Sequence, residues 1–231
     1  MRTLAINTFL TLDGVMQAPG GPEEDPTGGF THGGWSVDLW DERMDDLMSS
    51  SLAEPFALLL GRKTYEIFAA HWPHVNDEER QARGGARSDI DDPVAAALNG
   101  ATKYVASTTL TEVTWQNSVL LEGDVAEAVA ALKDQDGPPL VVHGSWDLIQ
   151  TLLQHELIDE FRLWTFPVLV GSGKRLFAEG TVPSGLQLID STTSTTGVVI
   201  STYRPGGQVT LGSFAFEDPT DDEVERRRGL E

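Results

Sequence analysis

A short apolar run that ends in a glycine and two cations constrains the fold of this chain more than any other feature. The run is Leu58-Leu59-Leu60-Gly61-Arg62-Lys63-Thr64-Tyr65. Its leucines show no polar alternation, which predicts a strand covered on both faces, and a helical pattern follows Gly61. Backbone N–H groups, the positive end of a helix and two cations then meet at one point, which suits a phosphate. The alternative is that Arg62 and Lys63 are ordinary surface residues at a helix start.

Two further strand ends repeat this arrangement. Val142-His143-Gly144-Ser145 passes from an apolar strand through a glycine into a helix, and Ala106-Ser107-Thr108-Thr109 supplies hydroxyls. In open α/β sheets, ligands bind outside the carboxyl ends of strands. The three strand ends together predict a site for a nucleotide with several phosphates. Ser145 alone is equally consistent with a helix cap, because serine is a good N-cap residue.

The remaining pattern predicts a mixed α/β sheet in one domain, residues 1–205. Short strands alternate with helices through residue 170, which favours a sheet with helices on both faces. Two last strands, at about 186–193 and 197–204, predict a closing antiparallel hairpin. Residues 206–231 predict an acidic, irregular tail.

Three segments outside the strands carry further predictions. Apolar residues at helical spacing predict a helix at about 36–52. Residues 17–34 are rich in glycine and proline and predict a long mobile loop of the kind that forms lids or binding loops. Residues 75–93 are polar and charged and predict another loop.

Charge and composition exclude several classes of function. The 231-residue chain has 36 acidic and 16 basic residues and a net charge of −20, which disfavours binding to nucleic acid or to an anionic membrane. No apolar stretch approaches the roughly 18 residues of a membrane span. The chain has no cysteine, so disulfides and thiol chemistry are excluded and a cytoplasmic location is expected. No metal site is predicted.

The familiar nucleotide motifs fail. Val170-Gly171-Ser172-Gly173-Lys174-Arg175 is similar to a phosphate loop. The G-x-x-x-x-G-K-[ST] motif, however, needs glycine where Val168 stands and Ser or Thr where Arg175 stands. The Rossmann fingerprint fails as well, because Leu176 replaces its third glycine. Neither a P-loop nucleotidase nor a Rossmann dehydrogenase is supported.

The order of the segments instead resembles the dihydrofolate reductase superfamily. Within it, the chain is most similar to the branch typified by the C-terminal reductase domain of the riboflavin-biosynthesis deaminase-reductase. The segments that carry the resemblance span about residues 3–204; they are 11–14, 60–66, 103–107, 142–145, 157–163 and 167–177.

This resemblance implies a three-layer α/β/α fold and a bacterial oxidoreductase with NADPH as hydride donor. It implies a pteridine-, aminopyrimidine- or flavin-like substrate, as for 5-amino-6-(5-phosphoribosylamino)uracil reductase, and a possible homodimer. It also implies roles for particular residues. Gly61, Arg62, Lys63 and Thr64 would meet the cofactor phosphates, and Ser107 and Thr108 the adenosine ribose with its 2′-phosphate. Gly144, Ser145 and Leu148 would line the pyrophosphate and nicotinamide region, and the loop of Asp13 to Met16, with Gly14 and Val15, would cover the nicotinamide.

The reduction of a C=N or C=O bond also needs a proton. A carboxyl group in an apolar pocket, its pKa raised by loss of solvent, can supply one. Dihydrofolate reductases carry such an acid on the first helix, and here that helix offers Asp38, Asp41, Glu42, Asp45 and Asp46. Asp41 borders the apolar stripe and is predicted as the proton donor, against the alternative of a solvated acidic face. His143 is a second candidate, or else a core histidine.

Several alternatives stay open at this stage. No H-x-E with P-C-x-x-C motif occurs, so the chain is a reductase-like domain without the deaminase zinc site. Lys174 and Arg175 either hold a substrate phosphate or flank a turn. Trp35 either stacks on a flat heterocycle or anchors its loop. The function alternatives are a binding or regulatory protein that kept the fold, and a structural dimer with an empty cleft.

Overall fold

A computed structural model describes residues 1–75, 92–215 and 217–230, and within these ranges the chain folds around one mixed sheet. The eight strands are β1 Leu4–Thr11, β2 Ala57–Gly61, β3 Thr102–Ala106, β4 Ser118–Leu120, β5 Leu140–His143, β6 Glu160–Phe166, β7 Leu186–Thr193 and β8 Val199–Pro205. Their order is β4-β3-β2-β5-β1-β6-β8-β7. β1 to β6 pair with one another in parallel, and β8 runs antiparallel to both β6 and β7. The mixed sheet with its C-terminal hairpin confirms the sequence prediction.

Helices cover both faces of the sheet. The described α-helices are α1 Glu42–Ala53, α2 Arg62–His71, α3 Pro93–Gly100, α4 Val125–Asp134, α5 Trp146–Gln154 and α6 Asp221–Arg228. Two apolar clusters lie on opposite faces, as the alternation of side chains along a strand requires. Leu59 packs in the cluster that contains Ile149 of α5, whereas Leu58 packs in the cluster that contains Met44 and Met48 of α1. The three-layer α/β/α arrangement is therefore confirmed. The predicted loop at 75–93 lies mostly outside the described residues.

β1 lies inside the sheet, between two strands that come much later in the chain. Ala5 is in register with Val141 of β5 on one side and with Glu160 of β6 on the other. β1 and β5 pair only as far as Asn7 and His143, whereas β1 and β6 stay paired to Thr11. The sheet therefore opens beside the carboxyl end of β5.

The first helix begins later than the sequence predicts. A 3₁₀ turn spans Val37–Leu39, the backbone of Trp40 and Asp41 is extended, and α1 starts at Glu42. The Asp41 carboxylate accepts a hydrogen bond from the N–H of Met44 at 2.9 Å. Asp41 is thus the N-cap of α1, and the apolar periodicity that predicted one helix over 36–52 spans two separate elements.

The glycine- and proline-rich segment at 17–34 is irregular, apart from a 3₁₀ turn at Thr27–Gly29. Hydrogen bonds fasten it at both ends. The Gln17 amide donates to the carbonyl oxygens of Asp25 and Thr27, both at 2.9 Å, and the Trp35 indole N–H donates to the Gln17 carbonyl at 2.8 Å. Of the two alternatives for Trp35, the structure therefore favours the loop anchor.

The acidic tail differs from its prediction in one respect. An irregular tail is predicted from residue 206, but the structure forms α6 at Asp221–Arg228. Thr220 caps this exposed helix, and Glu223 pairs with Arg226 and Arg227 three and four residues later. Such spacings stabilise a helix without tertiary packing.

Candidate active site

A cavity of about 750 Å³ opens at the carboxyl ends of the parallel strands, where such folds bind ligands. Its walls are the ends of β2, β3 and β5, the middle of β1, parts of α1 and α2, and the loop after β1. Nine of the eleven predicted cofactor-binding residues line it. They are Gly61, Arg62, Lys63, Thr64, Ser107, Thr108, Gly144, Ser145 and Leu148.

The turns after β2 and β5 are joined to each other at the cavity wall. The N–H of Gly61 donates to the Ser145 hydroxyl at 2.9 Å. Gly144 has φ 59°, and a Cβ there would lie 3.5 Å from the Thr64 hydroxyl oxygen. Ser145 itself adopts the left-handed conformation, with φ 66° and ψ 58°. The close fit of the two turns brings the first residues of α2 and α5 to one place.

Both of these helices present their N-terminal N–H groups without a side-chain cap. Among the described residues, neither the N-cap Gly61 of α2 nor the N-cap Ser145 of α5 caps its helix through a side chain. Uncapped N-termini attract anions through their free N–H groups and helix dipoles. Arg62 and Lys63 are exposed beside them, and Arg62 makes a surface ion pair with Glu66 at 3.2 Å. This end of the cavity is therefore built for an anion.

The end of β3 contributes hydroxyls. The Ser107 hydroxyl accepts hydrogen bonds from the N–H groups of Thr109, at 3.1 Å, and Leu110, at 2.9 Å. These bonds fix the turn after β3, and Thr108 is left exposed at the cavity. Ser107 is consequently a turn-forming residue, and Thr108 is the freer of the two hydroxyls.

Two predicted cofactor residues, Gly14 and Val15, lie outside the cavity lining. Val15 is fully buried against Ala18 and Phe30, and the Gly14 carbonyl accepts from the N–H of Leu176 at 3.0 Å. They hold the base of the loop. The residues that follow, 16–20, line the cavity in their place.

The prediction of Asp41 as proton donor is also corrected. One oxygen of its carboxylate caps α1, and the other accepts from the N–H and the hydroxyl of Thr195 at 2.7 and 2.6 Å. The hydrogen bond from the Thr195 hydroxyl, with the others, lowers the pKa of Asp41. A proton donor needs a raised pKa and a place at the cavity, and Asp41 has neither.

Among the five acids considered on the first helix, Asp45 is the one at the cavity wall. The indole N–H of Trp40 donates to its carboxylate at 2.6 Å. Trp40 also stacks on Trp164, with ring centroids 5.8 Å apart and planes 2° from parallel, and Phe9 lies 5.5 Å from both rings. Phe9 and Trp40 line the cavity as well. The cavity wall here is therefore aromatic, with one carboxylate beside the Trp40 ring.

His143 lines the cavity from β5, but it is not an ordinary core histidine. Its Nε2 is buried and has no hydrogen-bond partner among the described residues, and the same holds for Oδ1 of its register partner Asn7. Burial, with the nearby charge of Arg162, lowers the pKa of His143 to about 4. His143 is therefore neutral at neutral pH and carries no imidazolium proton to donate.

Glu24 is a cavity residue that the sequence analysis missed. It is half-buried in the loop after β1, and its Oε2 accepts from the N–H of Gly20 at 2.6 Å. Burial raises the pKa of this carboxyl. An acidic residue in a glycine-rich loop carries no periodic signal, so only the folded loop reveals its position.

Lys174 and Arg175 are both occupied by the protein itself. The Lys174 ammonium lies 2.5 Å from the Asp25 carboxylate and 3.1 Å from the Thr27 hydroxyl. Burial alone would raise the pKa of Asp25, but the hydrogen bonds from Lys174 and Thr27 outweigh it and lower the pKa. Arg175 donates to backbone carbonyls of Asp13 and Gly171, outside the cavity lining.

Across residues 1–75, 92–215 and 217–230, no group of three or more His, Asp or Glu side chains is arranged to hold a metal ion. None of the helices in the described ranges is long and apolar enough to cross a bilayer.

Comparison with known proteins places this geometry in context. A protein of Bacillus subtilis (strain 168), the uncharacterized protein YyaP, is 26% identical over 210 residues, covering 89% of this chain and 96% of its own. A putative riboflavin biosynthesis protein from Shewanella sp. PV-4 has a similar structure, with TM-score 0.53, 19% identity and coverage of 89% and 99% of the two chains.

Two other solved structures share the fold. A pyrimidine reductase-like protein from Corynebacterium diphtheriae matches with TM-score 0.54 and 13% identity over 88% of this chain and 92% of its own. Dihydrofolate reductase from Enterococcus faecalis, complexed with NADP(H) and RAB-propyl, matches with TM-score 0.51 and 16% identity over 88% and 96%. These likenesses confirm the dihydrofolate reductase-like fold.

The sequence profile described as the RibD C-terminal domain matches residues 2–200, nearly the whole sheet and its helices. The resemblance inferred from the strand ends is thereby confirmed, and the chain belongs to the RibD C-terminal domain family.

Proposed function

We propose that this protein is an NADPH-dependent reductase of a pteridine-, aminopyrimidine- or flavin-like heterocycle, similar to 5-amino-6-(5-phosphoribosylamino)uracil reductase. The observation that carries the proposal is the composition of a single cavity. One part presents two uncapped helix N-termini beside two cations, and another presents an aromatic surface with a carboxylate. A dinucleotide and a flat heterocycle would use these two parts together.

The residues present fit a phosphorylated dinucleotide. The first N–H groups of α2 and α5 would hold the diphosphate, and Arg62 and Lys63, the first two residues of α2, would neutralise a further phosphate. Although the chain has a net charge of −20, these two cations lie at the cavity wall, where they would attract an anionic cofactor. Thr108 offers its hydroxyl to a ribose. NADPH, when bound, would supply the hydride, and residues 16–20, which line the cavity, would shield it from water.

The substrate lies against the aromatic wall. Trp40 and Phe9 give a heterocycle a surface for stacking. The Asp45 carboxylate, already oriented by the Trp40 indole, accepts hydrogen bonds from ring N–H or amino groups. Pteridines and aminopyrimidines carry such donors at the edge of a flat ring.

The relatives support the same reading. One solved structure of this fold is a dihydrofolate reductase with NADP(H), and another is called pyrimidine reductase-like. We propose in addition that the protein is cytoplasmic and that it forms a homodimer. Analytical ultracentrifugation tests the homodimer directly.

Fluorescence titration with NADPH tests the proposed cofactor. We expect saturable binding by the wild-type chain, and weaker binding by Arg62→Ala and Lys63→Ala because each removes a cation from the anion end. Arg226→Ala, an exposed arginine of the tail helix, is the matched control and should bind like wild type. An absence of saturable binding by the wild type would refute the proposal.

Turnover is measured separately, as NADPH consumption against a panel of pterins, aminopyrimidines and flavins. Saturable NADPH binding with no consumption across the panel would favour the alternative, a binding or regulatory protein that kept the fold. Wild-type affinity in both cation variants would refute the assignment of Arg62 and Lys63 to a phosphate.

A further inference from the structure

The loop after β1 carries one carboxylic acid to the cavity wall that neither caps a helix nor pairs with a described cation. This residue is Glu24. We propose that Glu24 is the proton donor of the reduction, an inference that rests on the proposed function and deepens it.

One hydrogen bond orients the Glu24 side chain, and a second holds its backbone in the same turn. Oε2 accepts from the N–H of Gly20 at 2.6 Å, and the backbone N–H of Glu24 donates to the Gly21 carbonyl at 3.2 Å. A Cβ on Gly20 would lie 3.1 Å from Oε2, so the carboxyl sits closely over a residue that has no side chain. Because Oε2 accepts the Gly20 N–H, we assign the proton to Oε1.

The charges around Glu24 favour its neutral form. The adjacent Asp25 is negative and raises the pKa of Glu24, in addition to the larger effect of burial, and only the N–H groups of Gly20 and Gly21 oppose this. A cation of the segment after β6, Lys174, also lines the cavity, but its ammonium is paired with Asp25. Glu24 therefore keeps its proton at a pH at which an ordinary glutamate has lost it.

The other titratable groups of the cavity suit this task less well. Asp45 receives the Trp40 N–H, and Asp92 accepts from the N–H groups at the start of α3. Asp147 is exposed on α5, and His143 is neutral. Arg62 and Lys63 are cations at the anion end.

The step is balanced with the nicotinamide as the reductant. As the hydride reaches the carbon of a substrate C=N or C=O bond, the π electron pair of that bond moves to the nitrogen or oxygen. That atom takes the proton from Glu24 Oε1, which forms a new N–H or O–H bond and leaves Glu24 as a carboxylate. The substrate is reduced, the nicotinamide is oxidised, and solvent returns the proton to Glu24.

The first test does not depend on turnover. The full chain, labelled with ¹³C at the glutamate side-chain carboxyls, is titrated by NMR, and the resonance missing from Glu24→Gln is assigned to Glu24. We expect its midpoint to lie above the ordinary value of 4.5. A midpoint at or below that value would overturn the proposal. Glu23→Gln, an exposed acid one residue earlier in the same turn, is the matched control.

The second test measures single-turnover hydride transfer with a substrate found in the panel. We expect Glu24→Gln to slow it by about 10²- to 10⁴-fold, as for loss of a positioned proton donor, while NADPH affinity and the thermal midpoint stay close to wild type. Glu23→Gln should keep the wild-type rate. A Glu24→Gln rate equal to wild type defeats the donor assignment alone. A wild-type chain that neither binds NADPH nor consumes it defeats the proposed function, and the donor with it.

Discussion

Ser145 makes one favourable and one unfavourable contribution to stability, and two substitutions separate them. Its hydroxyl accepts the Gly61 N–H at 2.9 Å, which joins the turns after β2 and β5. Its backbone, however, has φ 66°, a conformation that glycine adopts more easily than serine. Ser145→Ala removes the hydroxyl and keeps the backbone strain, whereas Ser145→Gly removes both.

The magnitudes follow from the hydrogen bond and the backbone strain. Loss of the hydrogen bond costs about 1 kcal/mol of the free energy of unfolding in either variant. Ser145→Gly alone also removes the strain of a non-glycine residue in the left-handed conformation, which raises the free energy of unfolding by about 1–2 kcal/mol. The greater freedom of glycine in the unfolded chain subtracts about 0.5–1 kcal/mol. We therefore expect Ser145→Ala to lie about 1 kcal/mol below wild type, and Ser145→Gly to lie above Ser145→Ala by up to about 1.5 kcal/mol.

Urea denaturation followed by tryptophan fluorescence measures both free energies, and an unchanged slope with denaturant shows that the transitions are comparable. Gly144→Ala is the companion variant, because it introduces the same strain next to Ser145, at φ 59°. Strain of about 1–2 kcal/mol, less the about 0.5–1 kcal/mol gained by removing the freedom of glycine from the unfolded chain, leaves a cost of at most about 1.5 kcal/mol. The reasoning fails if Ser145→Ala is as stable as wild type, or if Ser145→Gly is the less stable of the two.

Three other predictions concern the loop after β1 and the first helix. A Cβ on Gly33 would lie 2.4 Å from the Gly21 carbonyl oxygen, so Gly33→Ala should lose about 1–3 kcal/mol in urea denaturation. Gly21→Ala, with open space around its Cβ, should be close to wild type in stability. Equal losses of stability in Gly33→Ala and Gly21→Ala would contradict the predicted clash at Gly33. Asp41→Ala should lose about 0.5–2 kcal/mol of stability as a lost N-cap, with NADPH affinity unchanged in titration; a loss of affinity would return Asp41 to the site. Because the pKa of Glu24 is raised above its ordinary 4.5, the stability of the wild type relative to Glu24→Gln should be greatest below that pH and decrease as pH rises through the folded pKa. Denaturation between pH 4 and 8 checks the sign, and a difference that grows with pH would contradict it.

The strand ends could be predicted because a parallel sheet brings them together by its topology. Gly61, Thr108 and Ser145 each follow an apolar run, and the carboxyl ends of such runs meet at one edge of the sheet. The end of a strand can also be predicted from the residue that follows it. β6 stops at Phe166 because Pro167, which follows it, has no N–H to give to a neighbouring strand.

The acids could not be predicted in the same way. Asp41 has the right helical spacing, but its capping side chain starts α1 one residue later and points its second oxygen at Thr195. Helical periodicity assumes one continuous helix. Trp40 and Asp41 are extended, so the side chains before them do not continue the helical face of α1. The position of Glu24 depends on an irregular turn at residues 20–24, held by hydrogen bonds to Gly20 and Gly21, and such a turn has no periodic sequence pattern from which it could be predicted.

The interior place of β1 has a consequence for how the protein is made. Its sheet partners, β5 and β6, begin at Leu140 and Glu160. At translation rates of about 5–20 residues per second, the ribosome needs roughly 7–30 s to reach β5. During that time the apolar side chains of Leu4 and Ile6 have no sheet partners, and they depend on chaperones or on transient collapse. A nascent chain stopped before Leu140 should therefore be captured by chaperones, whereas release of the full chain closes the sheet and forms the cavity in one late step.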